Sequence, residues 1–289
     1  MSTPVKIRKA WEKILVALGL FDYLTAEQLA RLLYSLASIS RVRKELKSLA
    51  AASLVLSLGG RAVNLPLVYT LSSKGRQCAA SLGVSAYRRL RPSEEKDKGY
   101  NPYFLKHTIA VTDVLIAARL LSQTVPWIEL TRMLTERELK RRIYVELPEK
   151  VCIEPDASLE FLLTETWHET TQTWKDFFHI EVYRNLPPAE WRFKQKIHGY
   201  VTYALTGQHE ALFNTAALSI AIITQTEQME TTLKRWTEET LTEIERPSDG
   251  DWFFFCSLNT ATARPEELFL SPVWEQAFSS TKTPLLMLE

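Results

Sequence analysis

Residues 177–184 read FFHIEVYR. The stretch has the make-up of an interior strand, yet Glu181 stands near its middle. An ionised carboxylate among Phe, Ile and Val is costly to bury unless a cation pairs with it or coordinates it. Two positions on comes Tyr183, a second polar group on the same face of the strand. The identity of the partner of Glu181 decides what this half of the chain is.

Working outward from this strand, VCIEPDASLEFLL (151–163) predicts strand, turn, strand, with Pro155-Asp156 at the turn. HETTQTW (168–174) is polar and reads as a hairpin tip returning into FFHIEVYR. Downstream, AEWRFKQKIHGYVTYAL (189–205) predicts a helix, and ALSIAIIT (217–224) a buried strand. A charged helix, EQMETTLKRWTEETL, and a last strand, WFFFCSL, follow. Upstream, LKHTIAVTDVLIAARLL (105–121) is an amphipathic helix, WIEL (127–130) a short strand, and RMLTERELKRRIY (132–144) ambiguous. This order predicts an α/β domain with helices on a mixed sheet.

The 289 residues carry a net charge of +1, which hides an asymmetry. Residues 1–98 hold 17 Lys and Arg against 7 Asp and Glu, and the remainder 18 against 27. A basic N-terminal part is suited to a polyanion. Its periodicity predicts a helix over 6–18 with Ile7, Trp11, Ile14, Leu15 and Leu18 on one face. LTAEQLARLLY opens with Thr25 and Gln28 at capping-box spacing. In SRVRKELKSLAAASL, Val42, Leu46 and Leu49 form the apolar stripe, while Ser40, Arg41, Arg43, Lys44 and Lys47 lie on other faces. Two strands, LVLSL and LVYTL, flank GGRAVNLP with Arg61 at its tip, and SSKGRQCAASLG closes the unit with a helix.

The cysteines, Cys78, Cys152 and Cys256, are too scattered for a disulfide framework or a cysteine-rich zinc site, and suit a reducing cytoplasm. MSTPVKIRKAWEK lacks the apolar core of a signal peptide, and ALFNTAALSIAII is too short and too polar to span a bilayer. A cytoplasmic protein without a membrane partner is expected. RRLRPSEEKDKGYNP, with Pro and Gly and no apolar period, reads as a linker over 88–102, between domains at 1–87 and 103–289.

The order helix, helix, helix, strand–loop–strand, helix, with YTLSSKGRQ (69–77), resembles bacterial winged helix-turn-helix proteins. That resemblance implies a third helix in the major groove of double-stranded DNA, led by Ser40, Arg41, Arg43, Lys44 and Lys47, with Arg61 reaching from the wing. EPDASLEF and HIEVYR, with the element order around them, resemble the PD-(D/E)xK nuclease-like, restriction-endonuclease-like fold. There Asp156 and Glu181 would be metal ligands for Mg²⁺, with Lys196 as the displaced lysine, because Tyr183 stands where the lysine usually falls. The same residues are open to a structural reading, in which Asp156 forms the turn and Glu181 pairs with Lys196.

Over nearly the whole chain, His107, Val111, Asp113, Trp127, Glu129, Pro155-Asp156-Ala157, Glu181, Lys196, Tyr200 and Pro272-Val273-Trp274 together resemble the replication-relaxation family. The resemblance implies a DNA-binding protein of a plasmid or other mobile element, with replication, mobilisation or transposition proteins as partners; a homodimer is compatible with it. The nuclease-like part would then supply a second DNA or protein contact. Two alternatives stay open: a metal-dependent endonuclease or nickase using Asp156, Glu181 and Lys196, and a transcriptional regulator with a docking domain.

Overall fold

In the computed structural model the residues described are 8–60, 65–84, 102–139, 153–167, 170–184 and 186–288. Arg61, Cys152 and residues 88–101 of the expected linker lie outside them. The chain is of mixed α/β class and divides into two compact units, 1–116 and 117–289.

The first unit begins with α1 (Lys9–Phe21), whose Trp11, Ile14, Leu15 and Leu18 are buried as the spacing predicts. A two-residue strand β1 (Leu24–Thr25) leads into α2 (Ala26–Leu33). The expected capping box is present: Thr25 Oγ1 accepts from the Gln28 amide at 3.1 Å, and Gln28 Oε1 from the Thr25 amide at 2.9 Å. A 3₁₀ turn precedes α3 (Ile39–Ala51), which buries Val42, Leu46 and Leu49. Strands β2 (Val55–Gly60) and β3 (Leu65–Leu71) pair antiparallel, and β1 adds to β3, giving the order β1-β3-β2. Helix α4 (Ser73–Ser81) follows. Leu105 and Ile109, from the start of α5 (Pro102–Thr124), pack with Leu58, Leu65 and Val68 of the β2–β3 pair.

The SSKG sequence has a physical reason. Ser72 caps α4 by accepting from the Gly75 amide at 2.9 Å, and its hydroxyl donates to the Ser53 carbonyl at 2.7 Å. This draws α4 so close to the end of α3 that a Cβ on Gly75 would sit 1.9 Å from the Leu54 carbonyl oxygen. Backbone cannot yield as a side chain does. Gly75→Ala is therefore expected to cost about 2–3 kcal/mol, despite the better helix propensity of Ala. Urea unfolding measures it; a neutral or stabilising result would mean that α4 does not approach Leu54 this closely.

The second unit is built on a seven-stranded sheet in the order β10-β9-β8-β7-β6-β5-β4. Its strands are β4 (Ile128–Thr135), β5 (Ala157–Trp167), β6 (Thr170–Tyr183), β7 (Ser219–Thr224), β8 (Phe253–Ser257), β9 (Trp274–Gln276) and β10 (Lys282–Thr283). β6, β7 and β8 run parallel and the other neighbours antiparallel, so the sheet is mixed. A short α6 (Glu136–Leu139) follows β4. Helices α7 (Glu190–Leu205), α8 (Gln208–Phe213) and α9 (Glu227–Glu243) supply Phe193, Ile197, Tyr200, Phe213, Leu233 and Trp236 to one core with Phe177, Ile222 and Phe255. A short α10 (Pro265–Phe269) places Phe269 against Phe161, ring centroids 5.5 Å apart.

Three local readings change. β4 continues through Arg132–Thr135, because pairing with Ala157–Glu160 turns the ambiguous segment into strand. The polar stretch 170–174 is strand rather than hairpin tip: Thr171 faces Thr166 and Thr173 faces Thr164, β-branched residues suited to an exposed pleat. Residues 153–155 belong to no strand; a single strand starts at Ala157, after a bend at Asp156. Among the described residues no helix is long and apolar enough to cross a membrane.

Candidate functional site

Glu181 points from near the C-terminal end of β6 toward α7 and is only 3% exposed. Lys196 Nζ lies 2.5 Å from its Oε1 and 2.6 Å from its Oε2, and the Tyr200 hydroxyl donates to Oε1. Lys196 and Tyr200 are four residues apart on α7, so one helix face delivers both donors. Lys196 also donates to the Glu154 carbonyl at 3.1 Å. Burial raises the Glu181 pKa to about 7, the attraction of Lys196 offsetting part of the desolvation and Asp156 adding repulsion.

Asp156 holds β6 on either side of this glutamate. Its amide donates to the Ile180 carbonyl at 3.0 Å, and its Oδ2 accepts from the Val182 amide at 2.8 Å. Tyr183, in the usual lysine position, packs its ring edge-on against Phe193 at 5.6 Å. Its hydroxyl is pushed well above the usual tyrosine range by burial, with Glu181 and Asp156 adding to the effect. Two neighbouring cations of α7 go elsewhere: Lys194 pairs with Glu239 of α9 at 2.8 Å, and Arg192 lies over the exposed Trp191 ring at 5.0 Å. Asp156, Glu181 and Lys196 are thus brought together.

Carboxylate and main-chain oxygens are the donors a hard divalent cation takes. Here, however, both oxygens of Glu181 are engaged by an ammonium and a phenol, and Asp156 Oδ2 by a backbone amide. Among the described residues no three His, Cys, Asp or Glu side chains are grouped so as to hold a metal. This arrangement does not fit Mg²⁺, and no catalytic step follows through one.

In the first unit, Ser40, Arg41, Arg43, Lys44 and Lys47 are all exposed along α3, opposite its buried stripe. Arg41 lies over the Tyr34 ring at 5.5 Å, and Arg43 makes an exposed 3.6 Å contact with Glu27. Such a surface contact holds little energy and leaves the cation available.

Among the other motif residues, Asp113 on α5 is buried and accepts from Gln28 Nε2 at 3.0 Å and from Arg31. Gln28 Nε2 donates also to the Ile109 carbonyl at 2.9 Å, so one side chain both caps α2 and ties it to α5. Trp274 is wholly buried and donates to the Leu268 carbonyl at 2.7 Å, while Glu129 is exposed on β4. Sequence reasoning missed the buried His179 and His209 beside this site; the only signal was a histidine two residues before the glutamate on the same strand.

A family model described as replication-relaxation matches residues 15–216. The chain belongs to the replication-relaxation family. The match takes in α3 of the first unit and Asp156, Glu181, Lys196 and Tyr200 of the second, and it stops before Pro272-Val273-Trp274. No curated protein and no solved structure matches the chain. Membership of the replication-relaxation family ties this chain to replication or mobilisation processes.

Proposed function

We propose that the chain is a DNA-binding protein of a plasmid or other mobile element, acting in replication or mobilisation. The first unit is a winged helix-turn-helix that lays α3 in the major groove of duplex DNA. The observation that carries this reading is the cationic face of α3: four Lys and Arg side chains exposed within seven residues, backed by a buried Val42–Leu46–Leu49 stripe. Clustered cations displace condensed counterions from phosphate, which supplies affinity without sequence information. The second unit has the nuclease-like arrangement of Asp156, Glu181 and Lys196, used as structure, and gives a second contact to DNA or to a replication, mobilisation or transposition protein.

Replacing Arg41, Arg43 and Lys44 together by Ala should weaken duplex binding and lower the slope of log K against log salt by about 0.9 for each phosphate no longer neutralised. Fluorescence anisotropy across a salt series measures both. A variant that binds like the parent at moderate salt would remove α3 as the DNA reader. Supercoiled plasmid incubated with Mg²⁺ or Mn²⁺ should stay supercoiled; nicking that depends on Glu181 would instead make the second unit an endonuclease.

A further inference from the structure

Around His179, two residues before Glu181 on β6, three buried polar atoms have no hydrogen-bond partner among the described residues: His179 Nε2, His209 Nδ1 and the Tyr203 hydroxyl. They come from β6, α8 and α7. Their rings form a near-equilateral triangle, with centroids 5.8 Å apart for His179–His209, 6.0 Å for His179–Tyr203 and 5.6 Å for Tyr203–His209. Each histidine is anchored through its other nitrogen, His179 Nδ1 to Ser158 Oγ at 2.6 Å and His209 Nε2 to the Ala217 carbonyl at 2.9 Å. Phe177 and Phe213 pack against both imidazoles. An unmade hydrogen bond at a buried polar atom is expensive, and three such atoms on rings packed against one another point to a shared partner.

We propose that His179, His209 and Tyr203 hold one buried water between β6, α7 and α8. The chemistry of the three atoms selects it. His209 Nε2 must donate to the Ala217 carbonyl, so Nδ1 is a bare acceptor and its partner must donate. The Tyr203 phenol, held protonated by burial, needs a partner that accepts. An anion accepts but cannot donate to His209. A metal cation would meet a site where burial already disfavours charge on both histidines, with Lys196 adding to this at His179, and Arg132 adding to it and Glu210 opposing it at His209. Water does both and carries no charge. By joining Tyr203 to His179 it fixes the register of α7 on β6, on the same helix that brings Lys196 and Tyr200 to Glu181.

The sign of one substitution tests this. A hydroxyl with no partner is better removed, whereas one that bonds a water is missed. Tyr203→Phe in the full chain should therefore lower Tm, by about 2–4 °C. A raised Tm would overturn the proposal. A crystal structure of the parent should show a single light-atom peak within about 3.2 Å of all three atoms. Rings packed N–H against the Phe177 face with no peak, or a Zn²⁺-dependent rise in Tm that His179→Ala abolishes, would each overturn it as well. Both readouts are independent of DNA binding, so their failure is distinct from failure of the proposed function.

Discussion

Asp113→Ala is expected to destabilise the first unit by about 3 kcal/mol, the lower end of what breaking a buried ion pair costs. Asp113 is 3% exposed and accepts from both Arg31 and Gln28. Its removal takes a buried carboxylate away from the Arg31 guanidinium, whose side chain is 19% exposed. Gln28 Nε2 keeps the Ile109 carbonyl, so the amide loses one acceptor and not both. Asp113→Asn retains the acceptor oxygen for Gln28 and loses the charge, and should cost about half as much. The partner substitution Arg31→Met should recover part of the loss when combined with Asp113→Ala, because the charge that Asp113 faced is then removed as well. Urea unfolding of the four proteins measures these differences. If Asp113→Ala unfolds like the parent, α5 is not held to α2 through this carboxylate.

The expectation for Asp113 shows where a sequence stops being readable. The α3 stripe, the Thr25 capping box and the interior strand at 177–183 depend on residues close together in the chain, so spacing reveals them. Asp113 lies 85 residues from Gln28, and nothing local distinguishes it from a surface aspartate on a helix. Similarly, Thr170–Trp174 reads as a polar loop until its partners Leu163–Trp167 are seen across the hairpin, because pairing and not composition makes it strand.

In the candidate site the legible part was the trio Asp156, Glu181 and Lys196; the role of each was not. Whether Asp156 and Glu181 face a cation from solution or a cation from the chain is decided by which side of α7 meets β6. That is a tertiary matter. The rotation of α7 puts Lys196 and Tyr200 on Glu181, and the bend at Asp156 turns its carboxylate to the Val182 amide. His179 was hidden for a related reason: a lone histidine in an apolar strand gives no hint that His209, thirty residues on, packs within 5.8 Å of it.

The pair at Glu181 should show itself through pH. Its folded pKa of about 7 stands above the ordinary value of 4.5, so its favourable contribution is complete below pH 4.5 and is lost as pH rises through 7. Glu181→Gln does not titrate and cancels every other group. The stability of the parent minus that of Glu181→Gln should therefore fall by about 3 kcal/mol between pH 4.5 and pH 8, at about 1.4 kcal/mol per pH unit. Lys196→Met completes the argument. Without the ammonium the carboxyl can take a proton instead of staying buried and charged, which caps the electrostatic loss at about 1.4 kcal/mol for each pH unit above 7. The Lys196→Met cost should thus be small at pH 6 and grow to about 2–3 kcal/mol at pH 9. In the Glu181→Gln background it should be flat across that range. Chemical unfolding of the four proteins at several pH values, with and without Mg²⁺, tests all of this. A Lys196→Met cost independent of pH would mean that Lys196 acts through the Glu154 carbonyl and its packing. A parent stabilised by Mg²⁺, with that gain absent in Glu181→Gln, would mean that Glu181 exchanges its lysine for a metal.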